Sequence, residues 1–370
     1  MIHETEKPSE PGMDATSAPG PLFIVSMWRG GSSLLYALLN KHPQVALTFE
    51  ADLWLLRSVF RKPKEYRDWA ERWEFWNRAF SRHGMSADDV PGGIRDYRAA
   101  FTAFHKAYAL RKGASVWGDK SPNYYDSLRA LAGVFPKARF IVVWRDPVAN
   151  ANAVARGAQL GGRFHGRRGG QLRGLIGNQV LKSEVDHLLA IGQPICQITY
   201  EALTSDTGKV MQEICRFLDI PYSDELTNLR NADRSAISNG EHHALVRGDK
   251  IVDAPRELVL DRATQRKIAS YVNLWKRRHG GVWPQSAPAD AGEVEPPQLW
   301  QRIGDKLAYR VLRVFDEFRQ VAFCCAPLML LQSYRGWRRR DLIAMEFPQS
   351  KSPNHKETES SERPAISLKM

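Results

Sequence analysis

The sequence is short of cysteine, of long apolar runs and of acidic charge, and each shortage excludes something. Its four cysteines, Cys196, Cys215, Cys324 and Cys325, form no CxxC pair, and each sits in an apolar stretch. That pattern suits buried reduced thiols, and neither a disulfide framework nor a metal site. No segment has the apolar length needed to span a bilayer. The first residues, MIHETEKPSEPG, carry acids and prolines where a secretory leader needs a basic start and an apolar run. A reducing cytosol is therefore the expected compartment. Lys and Arg outnumber Asp and Glu by 53 to 41, a formal charge of +12. Such an excess suits nucleotides, phosphates, acidic glycans or anionic membrane surfaces without choosing among them.

What is present is an alternation of short apolar runs with helical patterns. In 370 residues, 43% hydrophobic, it allows one large α/β domain with appendages or two modest domains. Residues 1–20 are polar and rich in Pro, Ser and Gly, the composition of a disordered leader. LFIVSM (22–27) reads as a buried strand and SSLLYALLNKHP (32–43) as the helix behind it. Residues 52–112 read as several helices. RFIVVWRDP (139–147) and PICQITYEAL (194–203) supply two further strands, followed by helices at 148–156 and 208–222. Strands alternating with helices predict a three-layer α/β/α domain over 21–285 with a central parallel sheet. The Gly- and Arg-rich stretch 155–174 reads as a mobile basic loop.

SAPADAGEVEPPQ (286–298) marks a linker. Beyond it Trp300, Ile303, Leu307, Val311, Val314, Phe318 and Ala322 recur at helical spacing, and YRGWRRR (334–340) follows. The extension, 299–346, has three open readings: contact with an anionic membrane, docking on the main domain, or dimerisation. Residues 347–370 have the composition of a disordered tail.

Most chemistry lies in FIVSMWRGGSSLLYALL (23–39). A Gly-rich turn after a buried strand lets backbone N–H groups converge on an anion, and the helix start adds its positive dipole end. Ser32 and Ser33 stand where hydroxyls donate to phosphate oxygens, and Arg29 supplies a planar cation. A nucleoside triphosphatase requires GxxxxGK[ST], and no lysine stands between Gly31 and Ser32. That argues against ATP or GTP hydrolysis.

WRGGSSLL (28–35) resembles the (K/R)SG(T/S)(T/S) loop of sulfotransferases that use 3′-phosphoadenosine 5′-phosphosulfate (PAPS). The resemblance assigns Arg29, Gly30, Gly31, Ser32, Ser33 and Leu34 to the 5′-phosphosulfate, with Gly30 in place of the usual Ser. RFIVVWRDPVANANAVAR (139–156) is similar to the family's second signature, in which an Arg, here Arg145, clamps the 3′-phosphate. The usual Ser of that helix is Ala153 here; either Asn152 substitutes or the clamp is weaker. VWGDKSPNYYDSLRALAGVFPKARF (116–140) resembles the bacterial and carbohydrate sulfotransferase pattern that places a lysine, Lys120, at the transferring group. ITYEALTSDTGKVMQEICRFLDIPY (198–222) implies that Tyr200 lies near the nucleotide. GEHHALVRGDKI (240–251) resembles a loop that closes over the donor, implying Arg247, Gly248 and Lys250, with Asp249 where Asn is usual.

The resemblance runs from about Leu22 to Trp283 and implies sulfuryl transfer from PAPS, as donor substrate, to a hydroxyl acceptor without a metal. Glu50 in LTFEADLW (47–54) is the candidate base, with Asp119, His242 and His243 in reserve. Trp54, Phe60, Tyr66, Trp69, Trp73, Phe75 and Trp76 occupy the acceptor-binding region and suit stacking on a saccharide or glycolipid, yet 69, 73 and 76 also share the spacing of a core-facing stripe. No nucleic-acid partner is expected. The alternatives are a catalytically inactive anion-binding protein of the same fold, kept open by Gly30, Ala153 and Asp249, and a phosphotransferase.

Overall fold

The computed structural model describes residues 20–57, 66–159, 167–237, 241–253, 259–279, 295–327 and 329–330. The chain runs β1 (Leu22–Ser26), α1 (Ser32–Leu39), β2 (Val45–Phe49), α2 (Tyr66–Asn77), α3 (Ala79–Arg82), α4 (Tyr97–Arg111), β3 (Val116–Lys120) and α5 (Leu128–Val134). It continues through β4 (Arg139–Trp144), α6 (Pro147–Gln159), α7 (Arg167–Ala190), β5 (Ile195–Thr199), α8 (Tyr200–Ser205), α9 (Thr207–Leu218), α10 (Arg262–His279) and α11 (Leu299–Cys325). The expected leader, most of the 286–298 linker, the arginine-rich 334–340 run and the tail fall outside the described residues.

The strands form one parallel sheet in the order β2-β3-β1-β4-β5. Strand side chains alternate between faces, and both faces are covered. Phe23 and Val25 of β1 and Phe140, Val142 and Trp144 of β4 join a core with α2, α4, α5 and α7. Leu22, Ile24, Ile141 and Val143 face the opposite core, built by α1 and α9. Each large side chain removed from water on these faces contributes about 2 kcal/mol before the entropy of ordering it. The three-layer α/β/α expectation holds.

Patterning predicts three strands, and the described sheet has five. The two additional ones, VALTF and VWGDK, are buried along their whole length. Gly, Asp and Lys are depleted in strands generally, so β3 carries little local signal. The stretch 155–174 is a correction: its described residues 155–159 end α6 and 167–174 begin α7. Trp69 and Trp73, at 1% and 0% exposure, are core residues, stacked among Phe80 and Phe104.

The chain crosses from β1 outward to β2, returns to β3, and then passes to β4 on the other side of β1. This reversal beside β1 opens a crevice at the carboxyl ends of the strands, the place where open α/β sheets bind ligands.

Candidate active site

Between β1 and α1 the chain turns through Met27, Trp28, Arg29, Gly30 and Gly31. Arg29 and Gly31 both adopt left-handed backbone, with φ of 64° and 101°. A Cβ on Gly31 would stand 2.4 Å from the Tyr200 ring, and one on Gly30 would stand 2.7 Å from the Met27 carbonyl. The Gly in place of the family's Ser is thus required by this turn. Ser26, the last residue of β1, donates to the Ser32 hydroxyl at 2.9 Å. The Leu34 and Leu35 N–H groups of the first turn of α1 bond the Gly31 carbonyl at 3.0 and 3.3 Å, and helix geometry leaves those of Ser32 and Ser33 to a ligand.

Arg145 leaves β4 and reaches across the crevice to donate to the Arg29 carbonyl at 2.8 Å. Its guanidinium lies 4.3 Å from the centre of the Tyr200 ring. Tyr200 is placed by Thr199, which caps α8 by accepting from Ala202 N–H at 3.0 Å. Asp146 caps α6 through Ala149 N–H at 2.7 Å, with Pro147 at the first helical position. The RDP signature therefore starts a helix and aims an arginine at the loop. Burial and the neighbouring Arg145 hold the Arg29 guanidinium down at about 10, partly offset by Tyr200. Two guanidiniums charged at neutral pH repel one another, and an anion between them relieves that repulsion.

Asn152 is buried and its carboxamide oxygen accepts from Val259 N–H at 2.7 Å, tying the 259 segment to α6. The side chain that reaches the loop from α6 is Asn150, which donates to the Trp28 carbonyl at 2.8 Å.

At the ends of β2 and β3 a second cluster forms. Lys120, fully buried, donates to Glu50 Oε1 at 2.6 Å and lies 3.7 Å from the centre of the Phe49 ring. Burial lowers the Lys120 pKa, and Glu50, Asp119 and Asp52 oppose that shift. Glu50 and Asp52 both take left-handed backbone, φ 50° and 55°, which is uncommon without glycine. Asp119 imposes it. Its carboxylate accepts from Thr48 Oγ1 at 2.7 Å, Tyr124 OH at 2.6 Å, and the N–H groups of Ala51 and Asp52 at 3.2 Å each. With its donors so committed, Asp119 organises the turn; it was a reserve base by sequence.

Asp52 is the acid that sequence reasoning missed. It is buried, accepts from Asn123 Nδ2 at 2.9 Å and from the Ser121 hydroxyl, and is pushed up to about 8 by burial and by Glu50 and Asp119. Asn123 also accepts from Trp28 Nε1 at 3.1 Å, so a chain of hydrogen bonds joins the phosphate loop to Asp52. From α3, Arg82 donates to the Phe49 and Glu50 carbonyls at 3.2 and 3.4 Å. His83 Nε2 accepts from Phe49 N–H at 2.9 Å while Nδ1–H donates to the Ala79 carbonyl at 2.7 Å. Burial depresses its pKa to about 4, which keeps it neutral.

The late segment is held elsewhere. Arg234 donates to the Arg247 and Gly248 carbonyls, at 2.8 and 3.0 Å, and His243 packs edge-on to Phe49. Arg247, Gly248 and Lys250 are exposed. Geometry brings Arg29, Gly30, Gly31, Ser32, Arg145 and Tyr200 into one group, with Ser33 and Leu34 in the adjoining first turn of α1, and Glu50 with Lys120 into a second.

A family model described as the sulfotransferase family matches residues 21–224. This chain belongs to the sulfotransferase family. Its matched region contains both phosphate signatures and the Glu50–Lys120 pair. Protein-tyrosine sulfotransferase A of Caenorhabditis elegans is 25% identical over 286 residues, 76% of this chain and 66% of that protein. Protein-tyrosine sulfotransferase 1 of Danio rerio is 26% identical over 208 residues, 55% of this chain and 54% of that protein. The chain thus spans less than two thirds of the length of these curated relatives. Among solved structures, the sulfotransferase domain from the curacin biosynthetic pathway is 18% identical with a TM-score of 0.46, covering 69% of this chain and 98% of that one.

Proposed function

We propose that this chain transfers a sulfuryl group from PAPS to an acceptor hydroxyl. The observation that carries the reading is the Arg145–Arg29 hydrogen bond, in which two phosphate signatures 116 residues apart meet on one loop. Arg29 and the N–H groups of Ser32 and Ser33 hold the 5′-phosphosulfate, and Arg145 holds the 3′-phosphate. Ser32 and Ser33 donate to phosphate oxygens, and Tyr200 supports the Arg145 guanidinium.

Glu50 takes the acceptor proton as the acceptor oxygen bonds to sulfur. The bond from sulfur to the 5′-phosphate oxygen breaks, and adenosine 3′,5′-bisphosphate leaves with that electron pair. Lys120 stabilises charge on the sulfuryl oxygens, and its contact with Glu50 keeps the base beside the reacting group. The free thiols of Cys196 and Cys215 accord with a reducing cytosol.

The acceptor class proposed from sequence is a saccharide or glycolipid. Burial of Trp69 and Trp73 removes two of the aromatic faces that supported it. The names of the curated relatives favour a second acceptor, the tyrosine hydroxyl of a protein. Labelled-sulfate transfer to a tyrosine peptide, set beside transfer to extracted glycolipid, separates these two acceptors.

The donor is tested by titration calorimetry with adenosine 3′,5′-bisphosphate against ADP. Tighter binding of the bisphosphate is expected, and preference for ADP would sink the reading. Tight bisphosphate binding without transfer to any acceptor in a cell extract would mean an inactive binding protein.

A further inference from the structure

Amphipathic helices ordinarily turn their apolar face to the core. Helix α11 does the reverse. Its polar side is fastened to the domain: Asp305 accepts from Lys267 at 2.7 Å and from Tyr271 OH at 2.8 Å. Tyr309 OH meets Tyr125 OH at 2.8 Å, and Arg313 pairs with Asp126 at 2.6 Å. The apolar side faces outward, with Trp300, Leu307, Val311, Val314, Phe315 and Phe318 each 61–70% exposed. Four polar anchors on one side fix the orientation of the other. Docking on the main domain, one of the three readings of the extension, therefore occurs through the polar face and leaves the apolar face uncovered.

We propose that this stripe lies in the interface of an anionic lipid bilayer and docks the protein there as a peripheral enzyme. The property that selects a lipid surface is charge. Lys306 and Arg310 are exposed on α11 beside the stripe, and the chain that follows the helix carries Arg335, Arg338, Arg339 and Arg340. Cations beside an apolar stripe bearing Trp and Phe are the pattern of interfacial helices on anionic lipid.

Spanning is excluded for this helix, since no described helix is long and apolar enough to cross a membrane. α11 also touches the turn Leu53–Leu56, which follows Glu50 and Asp52. Docking would therefore hold the acceptor side of the site near the lipid surface. The inference stands apart from the proposed sulfuryl transfer, because vesicle binding is read without any turnover.

The test is co-sedimentation of the full chain with vesicles of equimolar phosphatidylglycerol and phosphatidylcholine, and with phosphatidylcholine alone. The expected result is binding to the mixed vesicles that weakens with salt, and little binding to the neutral ones. The double variant Phe315→Glu/Phe318→Glu should lower the bound fraction about tenfold or more. Its thermal midpoint should not move, because both side chains point outward. Lys306→Glu/Arg310→Glu should weaken binding severalfold and flatten its salt dependence. Binding to neither vesicle, or equal binding to both, overturns the proposal. So does a wild-type dimer in sedimentation velocity that Phe315→Glu converts to monomer.

Discussion

The two halves of the site are built on opposite principles. On the donor side, Arg29 and Arg145 converge on one loop with like charge, held by backbone carbonyls and the Tyr200 ring. Arg145 ties the two signatures together through the Arg29 carbonyl. On the acceptor side, three carboxyls, Glu50, Asp52 and Asp119, find their partners within the fold: Lys120, Ser121, Asn123, Thr48 and Tyr124. Damage to the first half should therefore appear in binding and turnover with little loss of stability. Damage to the second should appear in stability as well, because each buried carboxyl loses a partner that nothing replaces.

Arg29→Ala is the severest test of that division. It removes the cation that the proposed function assigns to the 5′-phosphosulfate, and turnover of labelled sulfate should fall about 10³-fold. The bond from Arg145 survives, since it ends on the Arg29 carbonyl, so the thermal midpoint should stay close to that of the wild type. Retained turnover would refute the role assigned to Arg29. An unfolded variant would refute the division itself.

The acceptor side should respond to acid through His83. Its pKa is about 4 in the fold and near 6.5 in the unfolded chain, so the unfolded state binds more protons between those values. Its contribution to stability is complete above pH 6.5 and is lost as pH falls through about 4. Asp52 works the other way: its folded pKa of about 8 favours the fold at low pH, and that support is lost as pH rises from its unfolded value towards 8. The wild-type curve sums both, and a difference curve isolates the histidine. Between pH 6.5 and 4, the stability margin of wild type over His83→Gln in urea titrations should narrow by about 3 kcal/mol. A margin independent of pH would mean that burial does not hold His83 neutral.

Legibility in the sequence follows the same line. The donor half is local: a strand, a glycine turn, a helix start and an arginine ending another strand are each contiguous, and the fold gathers Arg29, Gly31, Ser32, Arg145 and Tyr200 around one loop. The acceptor half is assembled from three segments, 48–52, 82–83 and 119–124. Glu50 and Lys120 were visible as motif positions, but nothing near Asp52 announces that Ser121 and Asn123, about seventy residues later, supply its donors. Arg82 and His83 act on backbone groups of β2, an interaction that leaves no spacing pattern. β3 escaped because VWGDK spends positions on a glycine, which lets the Leu22 backbone of β1 come close, and on two charged groups. α11 was legible as amphipathic, but which face it would bury depended on Tyr125, Asp126, Lys267 and Tyr271, all remote in sequence.

Asn150 sharpens the comparison at its weakest point, because it is a donor-side residue that is itself buried. It spends its amide on the Trp28 carbonyl, and Trp28 in turn donates to Asn123, which donates to Asp52. Asn150 is therefore where the two halves touch. Asn150→Ala should leave the Trp28 carbonyl without this donor at a cost of about 1 kcal/mol, close to a fivefold loss. If the halves are separable, the loss falls on the affinity for adenosine 3′,5′-bisphosphate, measured by calorimetry, and kcat at saturating donor is unchanged. If kcat falls by the same factor while affinity holds, the Trp28–Asn123–Asp52 chain carries the loop's position to the acceptor side, and the two halves work as one.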